Sequence, residues 1–132
     1  MVEEKQKDNT SSGREFWGPP IWTTIHILAS TLRPENASEF KRFLETLTHL
    51  LPCERCKQNL KTKLKMYPPD KYLLNNDDAF FYTYLLHDAV NENITKTNPK
   101  TPKESPNFDN IKSFYFKGLY QECKDCQLQN TI

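Results

Sequence analysis

Proline divides this chain into helix-sized pieces, and that constrains its fold more than any other feature. The 132 residues include nine prolines, at positions 19, 20, 34, 52, 68, 69, 99, 102 and 106. Proline has no backbone N–H, so a helix tolerates it in its first turn and breaks or ends at it elsewhere. Between the prolines, apolar residues recur at helical spacing, and no useful length of sequence alternates at strand spacing. Pro19 and Pro20 suit the start of a first helix carrying Ile21, Ile25, Leu28, Ala29 and Leu32, which Pro34 stops. Asn36 or Ser38 can cap a second, whose stripe of Phe40, Phe43, Leu44, Leu47, Leu50 and Leu51 is the strongest amphipathic pattern in the chain. Pro52 ends it and can open a third helix, Cys53 to about Lys65.

Asn75, Asn76, Asp77 and Asp78 offer caps for a fourth helix, through Phe80, Leu86 and Val90 to Ile94. A Lys-, Pro- and Asn-rich loop over 96–107 leads to a last helical segment, about Phe108 to Gln121. The expectation is an all-α protein, a four-helix bundle with a short fifth helix. Residues 1–13 read as a disordered polar tail, 14–121 as one domain and 122–132 as a C-terminal tail.

Composition removes several function classes. A formal net charge of +1 makes no electrostatic case for nucleic acid. No apolar run approaches the ~18 residues of a membrane span, and the first residues have neither a secretory core nor an Arg-rich amphipathic presequence. The three glycines, Gly13, Gly18 and Gly118, cannot form a Gly-x-Gly-x-x-Gly turn or a phosphate loop, so a nucleotide would have to be held another way. Aromatic residues reach 12%; their ordinary use is core packing, but flat rings also suit a flat ligand.

The four cysteines form two pairs, Cys53-Glu-Arg-Cys56 and Cys123-Lys-Asp-Cys126. Cys53 follows Pro52 and falls at a helix start, where free N–H groups and the dipole stabilise a thiolate. Arg55 adds a cation, and an i, i+3 pair can close as a disulfide, a layout for thiol–disulfide exchange. One alternative is a zinc-binding helical interaction module using both pairs. The ligand type suits zinc, but Cys56 and Cys123 are far more widely separated than the ~15–20 residues usual between pairs in compact zinc modules. Another is a flavin-free dithiol carrier. A thioredoxin-like reading fails because the flanks of Cys53 are helical rather than βαβ.

Three patches then fall in order: Trp17-Gly18-Pro19-Pro20-Ile21-Trp22-Thr23-Thr24-Ile25-His26, Pro52-Cys53-Glu54-Arg55-Cys56, and His87-Asp88-Ala89-Val90-Asn91. Together they resemble the Erv/Alr family of FAD-linked sulfhydryl oxidases, with its W-G-x-x-x-W-x-x-x-H, P-C-x-x-C and H-N-x-V-N motifs. The resemblance covers roughly residues 16–96 and, more weakly, the last helix. Singly, Trp22 or His26 on an apolar helix is most often core, and Lys96 a solvated charge; the ordered combination is what makes the pattern specific.

The resemblance implies a helical bundle holding FAD between its helices and oxidising thiols to disulfides with molecular oxygen as acceptor. Cys56 becomes the cysteine beside the flavin and Cys53 the outer one, attacked by substrate. Trp17, Gly18, Trp22, His26, Tyr82, His87, Asn91 and Lys96 become cofactor contacts, with Tyr115 or Phe116 adding an aromatic from the last helix. Cys123 and Cys126 become a candidate shuttle disulfide. The partners implied are thiol-containing protein substrates or a small dithiol relay protein, and a second copy of the chain in a homodimer. Three positions depart from the family: Asp88 replaces Asn, Tyr82 replaces Trp, and Lys65 and Tyr84 stand where an extra structural disulfide often lies. That absence and the W-G-P start resemble compact members from large DNA viruses, which implies the host cytoplasm and virion; a cellular member would imply the mitochondrial intermembrane space.

Overall fold

A computed structural model of the chain describes residues 13–120. These form five α-helices in the order α1 (Arg14–Ser30), α2 (Ala37–Leu50), α3 (Glu54–Met66), α4 (Asn76–Thr97) and α5 (Phe108–Tyr120), with short 3₁₀ turns at Pro34–Asn36 and Pro69–Lys71. The described residues contain no strand. The all-α fold expected from proline spacing and helical periodicity is the fold observed. The tail pair Cys123 and Cys126 lies outside the described residues.

Helix α1 begins earlier than expected. Pro19 and Pro20 stand inside it, and Gly13 forms its N-cap at φ 75°. Only glycine reaches this left-handed conformation without steric cost, and the Gly13 carbonyl accepts the N–H groups of Phe16 and Trp17 at 2.9 and 3.1 Å. The prolines therefore remove two donors just beyond the first turn instead of marking the helix start. The start of α3 also differs. Cys53 is the N-cap in extended conformation, and its sulfur accepts the N–H of Cys56 at 3.2 Å. Leu51, preceding proline, is held extended at ψ 144° by the Pro52 ring. Pro52 thus separates the helices without entering the second. Asn36 occupies the N-cap position of α2 but makes no side-chain cap bond, whereas Asn75 caps α4 by accepting the N–H of Asp78 at 2.8 Å.

Helix α1 packs on α4 and α5, α2 packs on α3, and α3 packs on α4. The core runs along these seams through Ile25, Phe40, Leu44, Leu60, Tyr82 and Leu86. The C-terminal end of α1 is tied down by its neighbours. The Ser30 carbonyl, lacking a partner of its own helix, accepts the Tyr120 hydroxyl at 2.7 Å and Asn76 Nδ2 at 3.0 Å. The exposed Lys41–Asp70 ion pair at 2.7 Å joins α2 to the second 3₁₀ turn, where solvent screens it.

Leu44 is fully buried where α2 meets the core. Leu44→Ala should lower unfolding free energy by about 2–5 kcal/mol in urea titration followed by circular dichroism. A change below ~1 kcal/mol would show that α2 is not docked as described.

Candidate functional site

One cysteine of the C-x-x-C pair, Cys56, and the aromatic motif residues meet at one cleft of about 410 Å³, walled by α1, α3, α4, α5 and the segment leading into α5, with Leu47 of α2. Cys53 and Cys56 are joined as a disulfide, their Cα atoms 5.1 Å apart. Cys56 lies on the cleft wall with its neighbour Arg55. Cys53 does not line the cleft and is only 6% exposed. The N-cap geometry gives the pair its polarity: the Cys53 sulfur already receives a backbone N–H at the positive end of a 13-residue helix. A thiolate released at that sulfur is stabilised by the same donor and dipole.

Helical spacing explains which predicted residues meet at the cleft. Trp22 and His26 are one turn apart on α1, and His87 and Asn91 one turn apart on α4; all four line the cleft, as do Trp17 and Gly18. The rings of Trp22 and His87 stack across the seam, centroids 4.0 Å apart and planes 5° from parallel. Tyr115 supplies the aromatic from α5, 5.4 Å from the His26 ring; Phe116 is not in the lining.

Tyr82 and Lys96 do not reach the cleft. At ~100° per residue, Tyr82 is turned well away from the His87 face and Lys96 to the opposite side of α4. Tyr82 is fully buried, donates its hydroxyl to the Tyr67 carbonyl at 2.5 Å and packs 5.2 Å from the Tyr72 ring. Burial, with Asp70 and Tyr72 adding, raises its phenol pKa above the usual tyrosine value. Lys96 is exposed in the last turn of α4.

Two cations that the motifs did not indicate line the cleft instead, Arg14 and Lys103. Arg14 Nε is a buried donor with no hydrogen-bond partner among the described residues. Lys103 is held by its backbone, whose N–H donates to Thr95 Oγ1 at 2.9 Å while its carbonyl accepts the same hydroxyl at 3.3 Å. The Asp88 departure belongs to the same segment: Ser105 donates to Asp88 at 2.7 Å and accepts from Asn91 Nδ2 at 3.2 Å. Tyr84, at one of the two absent-disulfide positions, anchors it further by donating to the Pro106 carbonyl at 2.6 Å. Arg14 lies ahead of the first motif, and Lys103 sits in a Lys-rich loop whose sequence does not distinguish one lysine from the next.

Beneath the cleft wall lies a buried polar chain. His26 Nδ1 is 2.9 Å from Thr83 Oγ1, and His26 Nε2 is 3.2 Å from His87 Nδ1. Burial, and secondarily the neighbouring His87, lowers the His26 pKa to about 3. Burial and the Lys103 ammonium lower that of His87 to about 4. Both rings are neutral at physiological pH.

The cleft suits a flat, anionic ligand. It offers an indole–imidazole stack, three cationic side chains, an unsatisfied buried donor, and open room at Gly18, where an added Cβ would meet no protein atom within 4 Å. Among the described residues, no His, Cys, Asp and Glu side chains are grouped to hold a metal, and no helix is long and apolar enough to cross a membrane.

A C-x-x-C disulfide at a helix N-cap thus borders an aromatic-lined cleft in an all-α fold. Residues 19–111 match the Erv1/Alr family, and the chain belongs to it. Two viral proteins are similar to it. The probable FAD-linked sulfhydryl oxidase of vaccinia virus (strain Western Reserve) is 27% identical over 95 residues, covering 64% of this chain and 96% of the relative. The putative FAD-linked sulfhydryl oxidase of invertebrate iridescent virus 6 is 26% identical over 90 residues, covering 61% and 81%. No solved structure matches the chain.

The neutral histidines link folding to pH. Their folded pKa values lie below the ordinary 6.5, so between pH 6.5 and about 4 the unfolded chain binds protons that the folded chain does not. Stability is full above that window and falls as pH drops through it. From pH 7 to 5 the ligand-free protein should lose up to about 2 kcal/mol per histidine, read from urea midpoints at the two pH values. An unchanged midpoint would mean that the rings are not held neutral.

Proposed function

We propose that this protein is an FAD-dependent thiol oxidase carrying out 2 R-SH + O2 → R-S-S-R + H2O2. The observation that carries the reading is the position of Cys56: one sulfur of a helix-capping disulfide stands on the wall of a cleft with the aromatic, cationic and donor groups that a flavin dinucleotide requires. The names of both viral relatives support it. Trp22 and His87 offer faces for a flat ring, and Arg14, Arg55 and Lys103 offer charge for the pyrophosphate. When bound, FAD accepts the electron pair of the reduced dithiol and delivers it to oxygen.

The chain's own part is disulfide exchange. A substrate thiolate attacks the Cys53 sulfur; the Cys53–Cys56 bond breaks as the mixed disulfide forms, and Cys56 leaves as a thiolate in the cleft. The second substrate thiol attacks the mixed disulfide, which releases oxidised substrate and a Cys53 thiolate held by the Cys56 N–H. The low exposure of Cys53 favours an extended peptide thiol or a slender relay over a folded domain face. Cys123 and Cys126 would serve as a relay of this kind, delivering electrons to Cys53, and a homodimer would let one copy serve the other. The viral relatives favour action in the host cytoplasm and on virion proteins.

The purified protein should be yellow, absorbing near ~450 nm. It should bleach with anaerobic dithiothreitol and recover in air with release of peroxide. Cys56→Ser should retain colour and lose turnover by at least ~100-fold. A colourless protein that FAD does not reconstitute would defeat the proposal. The relay is tested separately: Cys123→Ser should slow oxidation of a protein dithiol while sparing dithiothreitol, and equal rates on both substrates would remove the tail pair from the pathway.

A further inference from the structure

Thr83 matches none of the motif positions, yet it stands at the head of the hydrogen-bonded chain that runs through His26 to His87. Its hydroxyl has one proton. Thr83 Oγ1 lies 2.8 Å from the Phe80 carbonyl oxygen, and two oxygens at that distance repel unless a proton lies between them. The proton therefore points to Phe80, and Thr83 can only accept from His26. His26 Nδ1, 2.9 Å away, must carry the N–H. A neutral imidazole has one N–H, so His26 Nε2 is an acceptor. The nitrogen facing it at 3.2 Å, His87 Nδ1, must then be the donor. His87 Nε2 is left without a proton, and it makes no hydrogen bond among the described residues, while its ring lines the cleft.

The burial pattern supports this order. Thr83 is 0% and His26 5% exposed, so no solvent proton competes inside the chain. Phe80 and Tyr115 enclose His26 at ring distances of 5.6 and 5.4 Å, and Trp22 fixes the His87 plane by stacking. The charged group acting on His87 is Lys103, which opposes a second proton on the ring.

We propose that Thr83 is a positioning residue. Acting through His26, it holds His87 in the Nδ1–H tautomer, so that His87 Nε2 faces the cleft as a bare acceptor and selects a ligand bearing an N–H or O–H donor there. The ligand part of this assignment rests on the flavin-nucleotide reading above; the tautomer part does not. Flavin nucleotides carry such donors on the adenine amine, the flavin imide and the sugar hydroxyls. A site with Nε2 protonated would instead require an acceptor at the same point.

The test is a long-range 1H–15N correlation spectrum of the imidazoles in the full-length protein, first without ligand and then with FAD. Exposed His49 provides an internal reference for an unconstrained ring, which favours Nε2–H. The expected wild-type result is pyrrole-type Nδ1 and pyridine-type Nε2 in both His26 and His87. Thr83→Val removes the acceptor, so both rings should revert towards Nε2–H, and the FAD dissociation constant should rise ~5–10-fold, the scale of one neutral hydrogen bond. Thr83→Ser keeps the hydroxyl and should restore both tautomers and affinity. A protonated His87 Nε2 in the wild type, or tautomers unmoved by Thr83→Val, would overturn the assignment. If Thr83→Val does not fold, the wild-type spectrum decides alone. The assigned tautomers in a protein that does not bind FAD would uphold the Thr83 chain and defeat the flavin reading.

Discussion

The seam between α1 and α4 is the constraint on which the rest depends. His26 is carried into the interior there, and a buried polar ring is costly unless each nitrogen is accounted for. Thr83 and His87 satisfy His26 from α4. This fixes the rotation of the two helices about their axes, because a small roll of either would break the chain. With the seam set, Trp22 meets His87 in a stack, α5 closes over the same place through Tyr115, and α3 reaches the cleft with Cys56.

The disulfide occupies a different kind of position. It lies at a helix terminus, where proline enforces an extended entry and backbone donors are free. A helix terminus of this kind stabilises a thiolate without a neighbouring base, and among the described residues no histidine lies at hydrogen-bonding distance from either sulfur. His49, one turn ahead of Cys53 in sequence, is exposed on α2. The low exposure of Cys53 beside the cleft-lining Cys56 makes the two halves of the pair unequal: one borders the cleft and the other is nearly covered.

The segment from Lys103 to Pro106 shows how a sequence departure is accommodated. Asp88 replaces the family Asn at a point where Ser105 supplies a hydroxyl to it; Tyr84, where a disulfide cysteine often stands, holds the same segment by its hydroxyl. Polar side chains on successive turns of α4 fasten the loop, and the fastened loop brings a cation to the cleft. The exposed lysine of the motif, Lys96, does not line the cleft, whereas Lys103, seven residues further on, does.

The sequence by itself determined the helices, their order and the Cys53–Cys56 pairing. Proline positions and helical periodicity are local properties, and C-x-x-C at a helix start is chemistry held within one turn. It also determined that Trp22 and His26, and His87 and Asn91, share faces, because i, i+4 spacing requires it. Tyr82 and Lys96, named on motif position, do not line the cleft, and the helical angle from His87 that turns them away was already in the numbering. Helix starts at Arg14 and Glu54 depended on a left-handed glycine and an N-capping sulfur, which residue type does not announce. Only the tertiary structure decided that Arg14 and Lys103 reach the cleft and that Thr83 directs the two histidines. Those relations join residues far apart in the chain, and their distances exist only once α1, α4 and the strapped loop are packed together.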